Sequence, residues 1–263
     1  MDITAEQIQF NWDKFMDLFA IFEEPRKTSL QNFYSKYKDR IILMPASHKK
    51  EYHNAFPGGY IDHVLRVSEC AVLLNELWTK MGADTDSYTF EELLFSAINH
   101  DLGKIGDELY EAFIPQTDQW RKEKLGENYM FNNKLPFASV PDRGLFLLQQ
   151  NDIKYSFNEM IAIQTHDGLY DEGNKKYLAN FLPEQKPRTC LPYIIHQADL
   201  MASRIEFENE WTPKFKHEIS AKPAQNKHYN LDVTKPAGKK MLLKERALST
   251  LKSESLKTFL DNL

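Results

Sequence analysis

His100 and Asp101 stand side by side at the end of an apolar stretch, Phe90–Asn99, and are followed at once by Leu102, Gly103 and Lys104. A neighbouring histidine and aspartate offer one neutral nitrogen and one anionic oxygen to the same cation. Consecutive side chains on an ideal helix diverge by about 100°, so both reach one ion only near a helix end, and Gly103 lets the chain turn there. Further donors of the same kind stand on either side, His63 in Gly58-Gly-Tyr-Ile-Asp-His63 and Asp199 in Ile194-Ile-His-Gln-Ala-Asp199. Two imidazoles and two carboxylates with open positions suit a hard or borderline divalent cation that activates water. Taken singly, His63 also reads as a buried histidine bonded within a helix pair, and Asp199 as a helix-face carboxylate.

Several residues flank these four. Lys104 could set an ammonium group against phosphoryl oxygens, or could be a surface lysine favoured by the helix dipole. His196 precedes Asp199 by three residues and shares its helix face, so it either orients the aspartate, touches substrate or is a core histidine. His53 lies in the stretch leading to Gly58-Gly59, with phosphate contact and a surface loop as its two readings. Arg204, five residues after Asp199, points to a rather different face. Residues 105–141 form an insertion rich in aromatic and basic side chains. It reads as a lid, with a ring stacking on a base and Arg121 or Lys124 near phosphates, or as a hydrophobic cluster capping the core. Neither a glycine-rich phosphate loop nor a dinucleotide fingerprint is present.

The elements that must position these groups are mainly helical. Apolar spacing predicts helices over Thr4–Glu23, Ser29–Tyr37, Tyr60–Met81, Phe90–Asn99, Asp142–Gln150, Phe157–Thr165, Leu191–Trp211 and Lys239–Asn262. Thr4 with Gln7, and Ser29 with Asn32, are helix-start pairs. A small β-hairpin is expected within Tyr129–Phe137, turning at Asn132-Asn133, with Pro136 confining its second arm to an edge. With 263 residues, 42% of them hydrophobic, the chain can bury one large core, expected over residues 1–211 and followed by a basic extended arm and terminal helix over 212–263. Residues 213–263 carry 11 Lys and Arg against 5 Asp and Glu, which leaves the rest at −11 within a net charge of −5. So acidic a body is a poor general binder of polyphosphate backbones. No apolar run is long enough to cross a bilayer. The first residues lack a secretory pattern, and the two cysteines, Cys70 and Cys190, cannot make a disulfide framework. A reduced cytoplasmic protein is expected, and the sequence leaves a homo-oligomer open.

The order His63, His100-Asp101 with Gly103-Lys104, then Asp199 resembles the HD-domain metal-dependent phosphohydrolases over roughly residues 45–208. The phrases Tyr52-His53-Asn-Ala-Phe-Pro-Gly-Gly-Tyr-Ile-Asp-His63, Asn99-His-Asp-Leu-Gly-Lys104 and His196-Gln-Ala-Asp199 carry it. Local similarity is closer to a subgroup containing bacterial 3′-to-5′ exoribonuclease HD domains and small phage-type proteins. The resemblance implies an HD helical bundle in which His63, His100, Asp101 and Asp199 hold a divalent metal, with Mn, Fe, Mg, Co and Ni all suited to the donors. It favours a functional Lys104, and gives His166 a role at a second metal or at phosphate. Dinuclear relatives commonly supply a further histidine before that point, whereas Ala138–Leu147 contains none. Asp142 could substitute or could be a helix cap, and one tightly held metal is the reading adopted. The reaction implied is hydrolysis of a phosphoester of a nucleotide or nucleic-acid end. A single-strand 3′-to-5′ exonuclease and a non-catalytic nucleotide-binding sensor are the competing readings.

Overall fold

A computed structural model describes residues 3–50 and 52–210. The chain divides into two units, Met1–Phe215 and Lys216–Leu263. The basic arm and the helix expected over Lys239–Asn262 lie outside the described residues. Helix α1 spans Ala5–Asp17, α2 Arg26–Lys36, α3 Lys38–Ile41, α4 Gly59–Lys80 and α5 Phe90–Asn99. An insertion follows, with strand β1 at Phe113–Pro115, α6 at Gln119–Leu125 and β2 at Tyr129–Phe131. The chain then forms α7 at Val140–Gln150, α8 at Phe157–Thr165, α9 at Lys175–Leu178 and α10 at Leu191–Glu210.

Local chemistry sets most of these boundaries. Thr4 caps α1 by accepting from the Gln7 N–H at 3.2 Å. Helices α5 and α8 both start from capping boxes, Thr89 with Glu92 and Ser156 with Glu159. The expected helix Thr4–Glu23 is shorter in fact: from Leu18 to Ile21 the chain winds into a 3-10 turn that buries Leu18 and Phe19. Helix α2 starts at Arg26, ahead of Ser29, because Pro25 presets the first turn and has no N–H to leave unpaired.

The hairpin expected over Tyr129–Phe137 is corrected. Tyr129–Phe131 is a strand, but its antiparallel partner is Phe113–Pro115, with Phe113 opposite Phe131 and Pro115 opposite Tyr129. After Phe131 the Lys134 and Leu135 N–H groups both turn back on Asn132, and Pro136 has no N–H to offer a ladder.

Helices α4, α5, α8 and α10 pack on one another to form the bundle that carries the site. Small side chains stand where they meet: Ala71, Ala97, Ala162, Ala198 and Ala202 are all fully buried. Alanine at a crossing lets two helix axes approach closely, and Val67, Leu93, Ile194 and Ile195 fill the space around the contacts. An aromatic layer from α1 and α2 abuts the end of α5. In it the Phe15 ring lies 5.2 Å from Phe19 and 4.8 Å from Tyr34. The Tyr34 hydroxyl donates to Asn99 Oδ1 at 2.9 Å, and Asn99 Nδ2 donates to the Phe95 carbonyl at 2.8 Å. The residue before His100 is thus held from two directions. Among the described residues, no helix is long and apolar enough to cross a membrane.

Candidate metal centre

The chain reaches α4 through Gly58, whose φ of +84° suits glycine, and Gly59, where a Cβ would meet the Asn54 carbonyl oxygen at 2.1 Å. The preceding loop therefore lies directly on the helix start, and Asn54 Nδ2 ties it to Asp62 Oδ2 at 2.9 Å. This close approach sets the His53 ring 4.6 Å from the His63 ring.

Helices α5 and α8 end alike. His100 and His166 occupy the C-cap positions and direct Nδ1 to the carbonyl three residues back, Ala97 at 2.7 Å and Ile163 at 2.8 Å. Each is followed by an aspartate, so His166-Asp167 is a second His-Asp doublet. Gly103 serves close packing: a Cβ there would lie 2.0 Å from the Val140 carbonyl oxygen in the first turn of α7. Gly168, at φ +59°, leaves room for the His196 ring, whose Nδ1 bonds the His166 carbonyl at 2.8 Å.

The four expected donors converge. His63 Nε2 lies 3.2 Å from Asp199 Oδ1, 3.3 Å from His100 Nε2 and 3.6 Å from Asp101 Oδ2. His100 Nε2 lies 3.4 Å from Asp101 Oδ2 and 3.8 Å from Asp199 Oδ1. Atoms about 2.1 Å from a common ion stand about 3.0 Å apart in octahedral and about 3.4 Å apart in tetrahedral coordination. The observed spacings are those of atoms that could surround one ion.

Hydrogen bonding aims the lone pairs inward. A carbonyl only accepts, so His100 Nδ1 carries the proton and Nε2 turns its lone pair to the cluster. His63 is set the same way by Glu206, whose Oε2 lies 3.0 Å from Nδ1. Facing lone pairs and carboxylates repel unless a proton or a cation stands between them. Burial works against a charge on His63, but Glu206 and Asp199 outweigh it and lift its pKa to about 10. Burial of His166 is outweighed by Asp167 and Asp101, which lift it to about 9. Burial would raise both aspartates, yet Lys104 and His100 hold Asp101 well below the usual carboxylate range, and His63 and His100 hold Asp199 low.

Lys104 belongs to this cluster, since its Nζ donates to Asp101 Oδ2 at 2.5 Å. Burial disfavours its charge, but Asp101 keeps its pKa above the ordinary value. The other oxygen of Asp101, Oδ1, turns to His166 Nε2 at 3.5 Å, and that nitrogen lies 3.6 Å from Asp167 Oδ2. Donor trios within 4.8 Å also include His53, His63 and Asp101, and His166, Asp167 and Asp199. Asp142 is not among them: it sits exposed in the first turn of α7, where its N–H is capped by Ser139 at 3.1 Å. Asp167 supplies a carboxylate beside His166 instead.

A cleft of about 590 Å³ opens over these groups, lined by Tyr52, His53, Asp167, Tyr170 and one face of α10. His196 and Asp199 lie on that face, and so does Arg204, contrary to the expectation from its spacing. Its long side chain swings back and meets the Tyr170 hydroxyl at 3.1 Å. Arg121 is elsewhere. Its guanidinium forks onto Glu127 at 2.7 and 3.1 Å and does not line the cleft. The insertion aromatics are likewise absent from the lining, and Phe113 packs against His48 and Phe131.

Two contributors escaped the sequence reading. Glu206 follows Asp199 by seven residues, two helical turns, so it stands on the same side of α10. Asp167 repeats, at the end of α8, the doublet already singled out at the end of α5. No family model, curated protein or solved structure matches the chain. The chemistry of the centre is therefore read from its own atoms.

Proposed function

We propose that the chain is a metal-dependent phosphohydrolase of the HD type, cleaving a phosphoester of a nucleotide or nucleic-acid end with activated water. The observation that carries this reading is that His63 Nε2 and His100 Nε2 lie 3.3 Å apart and each stands 3.2–3.8 Å from Asp101 Oδ2 and Asp199 Oδ1, on imidazoles whose other nitrogens are already bonded. Those four residues would hold a divalent cation such as Mn²⁺, Fe²⁺, Mg²⁺, Co²⁺ or Ni²⁺. The ion supplies Lewis acidity, making water at the site more acidic and drawing electron density from a phosphoryl oxygen. Lys104 orients Asp101 and places a positive charge where negative charge grows on the phosphoryl group. His166, buried beside Asp101 and Asp167, would serve as the proton donor to the leaving oxygen. His53 and His196 border the cleft by which substrate arrives.

The test is metal titration of the full chain followed by hydrolysis of bis-p-nitrophenyl phosphate and p-nitrophenyl phosphate, comparing wild type with Asp101→Ala. Turnover should depend on added metal and fall by about 100-fold or more in the variant, with helical circular dichroism retained. Unchanged turnover in Asp101→Ala overturns the assignment. Metal uptake with no turnover in the wild type would point to a nucleotide-binding sensor.

A further inference from the structure

The cleft over the candidate metal centre has an uneven charge: among the described residues that line it, the formal anions are Asp167 and Asp199 and the formal cation is Arg204. An anionic substrate entering it meets two carboxylates, so on the cleft wall itself, outside the buried Lys104 and His166 beside Asp101, attraction comes from the guanidinium. Other polar groups on the α10 wall are already engaged. Ser203 donates to the Leu200 carbonyl at 3.1 Å, and His196 Nδ1 is bonded to the His166 carbonyl. Arg204, by contrast, makes one hydrogen bond among the described residues, to the Tyr170 hydroxyl, and its other N–H groups have no acceptor among them. That bond also fixes where the guanidinium points, which lowers the entropy lost when it grips a phosphate. The Tyr170 ring is 74% exposed and Tyr52 is 48% exposed, so two aromatic surfaces border the same cleft. Its volume of about 590 Å³ falls in the range of about 300–1,000 Å³ typical of small-molecule sites.

We infer that Arg204, held by Tyr170, is the residue that grips the phosphate of a nucleoside monophosphate, whose base lies against the Tyr170 ring. This rests on the phosphohydrolase reading for its chemistry. It adds a substrate class: a small phosphomonoester whose leaving alcohol carries an aromatic base, matched by one guanidinium in a cleft too acidic for a chain of phosphates. The insertion once expected to choose the substrate takes no part in this wall.

The experiment is calorimetric titration of the full chain, loaded with Mn²⁺, with adenosine 5′-monophosphate, alongside turnover of p-nitrophenyl phosphate by the wild type. Wild type should bind the nucleotide. Arg204→Ala should weaken that binding by at least about tenfold, while Arg204→Lys restores only part of it because the planar fork is lost. Tyr170→Ala should also weaken it, and the Mn²⁺ affinity of all three variants should stay at the wild-type value. No nucleotide binding by wild type, or a Kd in Arg204→Ala within about twofold of wild type, overturns the inference even if p-nitrophenyl phosphate is hydrolysed. Failure of that hydrolysis with Arg204-dependent binding intact strikes the phosphohydrolase reading and spares this one.

Discussion

His63 has both ring nitrogens engaged, Nε2 toward Asp199 at 3.2 Å and Nδ1 toward Glu206 at 3.0 Å. Glu206 is itself steadied by Arg66, whose Nε lies 3.2 Å from Oε1. A carboxylate behind a ligating imidazole fixes its tautomer and raises its basicity. Glu206→Gln keeps the shape and removes the charge, so Mn²⁺ affinity should fall by about 10–100-fold in a calorimetric titration. An unchanged Kd would show that Glu206 only fills space. His100 and Asp101 were legible because they are adjacent and mark a helix end. Glu206 was not, because a glutamate late in an amphipathic helix is indistinguishable by type from a solvated one. Only its distance of two turns from Asp199 sets it apart. Arg204 misled for the opposite reason, since its backbone angle was read correctly but the reach of the side chain was left out.

At the scale of elements, the two glycines with the sharpest contrast are Gly103 and Gly82. A Cβ at Gly103 would run into the Val140 backbone at 2.0 Å, whereas at Gly82, with φ +93°, nothing stands within 4 Å. Gly82→Ala should therefore cost only the left-handed backbone penalty of about 1–2 kcal/mol. Gly103→Ala must push α7 off the 3-10 turn Leu102–Ile105 that follows the His-Asp pair, and should cost more than about 2 kcal/mol while weakening metal uptake. Urea denaturation of both variants checks the order, and equal losses would contradict it. The long helices were legible from apolar spacing and capping residues. The insertion was not: β1 and β2 are three residues each and are separated by α6, a pairing that no local pattern announces. Gly103 had been credited with a turn, yet its role is contact with a helix far along the chain, which spacing alone does not reveal.

Across the whole described unit, the four candidate ligands belong to α4, to the end of α5 and to α10, helices that also pack on one another. An ion held there would tie together elements that must separate on unfolding. At a free concentration about 100 times Kd it should add about 2.7 kcal/mol, or about 5–10 °C in midpoint for a unit this size. Scanning calorimetry with and without Mn²⁺, and again after chelation, measures this, and a midpoint indifferent to the ion would argue against ligation. The mainly helical architecture was readable because periodicity reports which faces are buried, while the charge split between body and arm concerns residues outside the described part. The hydrogen bond from Tyr34 to Asn99 has a practical consequence. The stretch that carries the four candidate ligands and their flanking motifs starts near residue 45, but the hydroxyl mooring the last turn of α5 is supplied upstream of that point. A fragment trimmed to 45–208 would leave Asn99 Oδ1 without that donor and bare Phe95 at the root of the His-Asp pair, so the smallest piece that can keep this corner in register includes the first two helices.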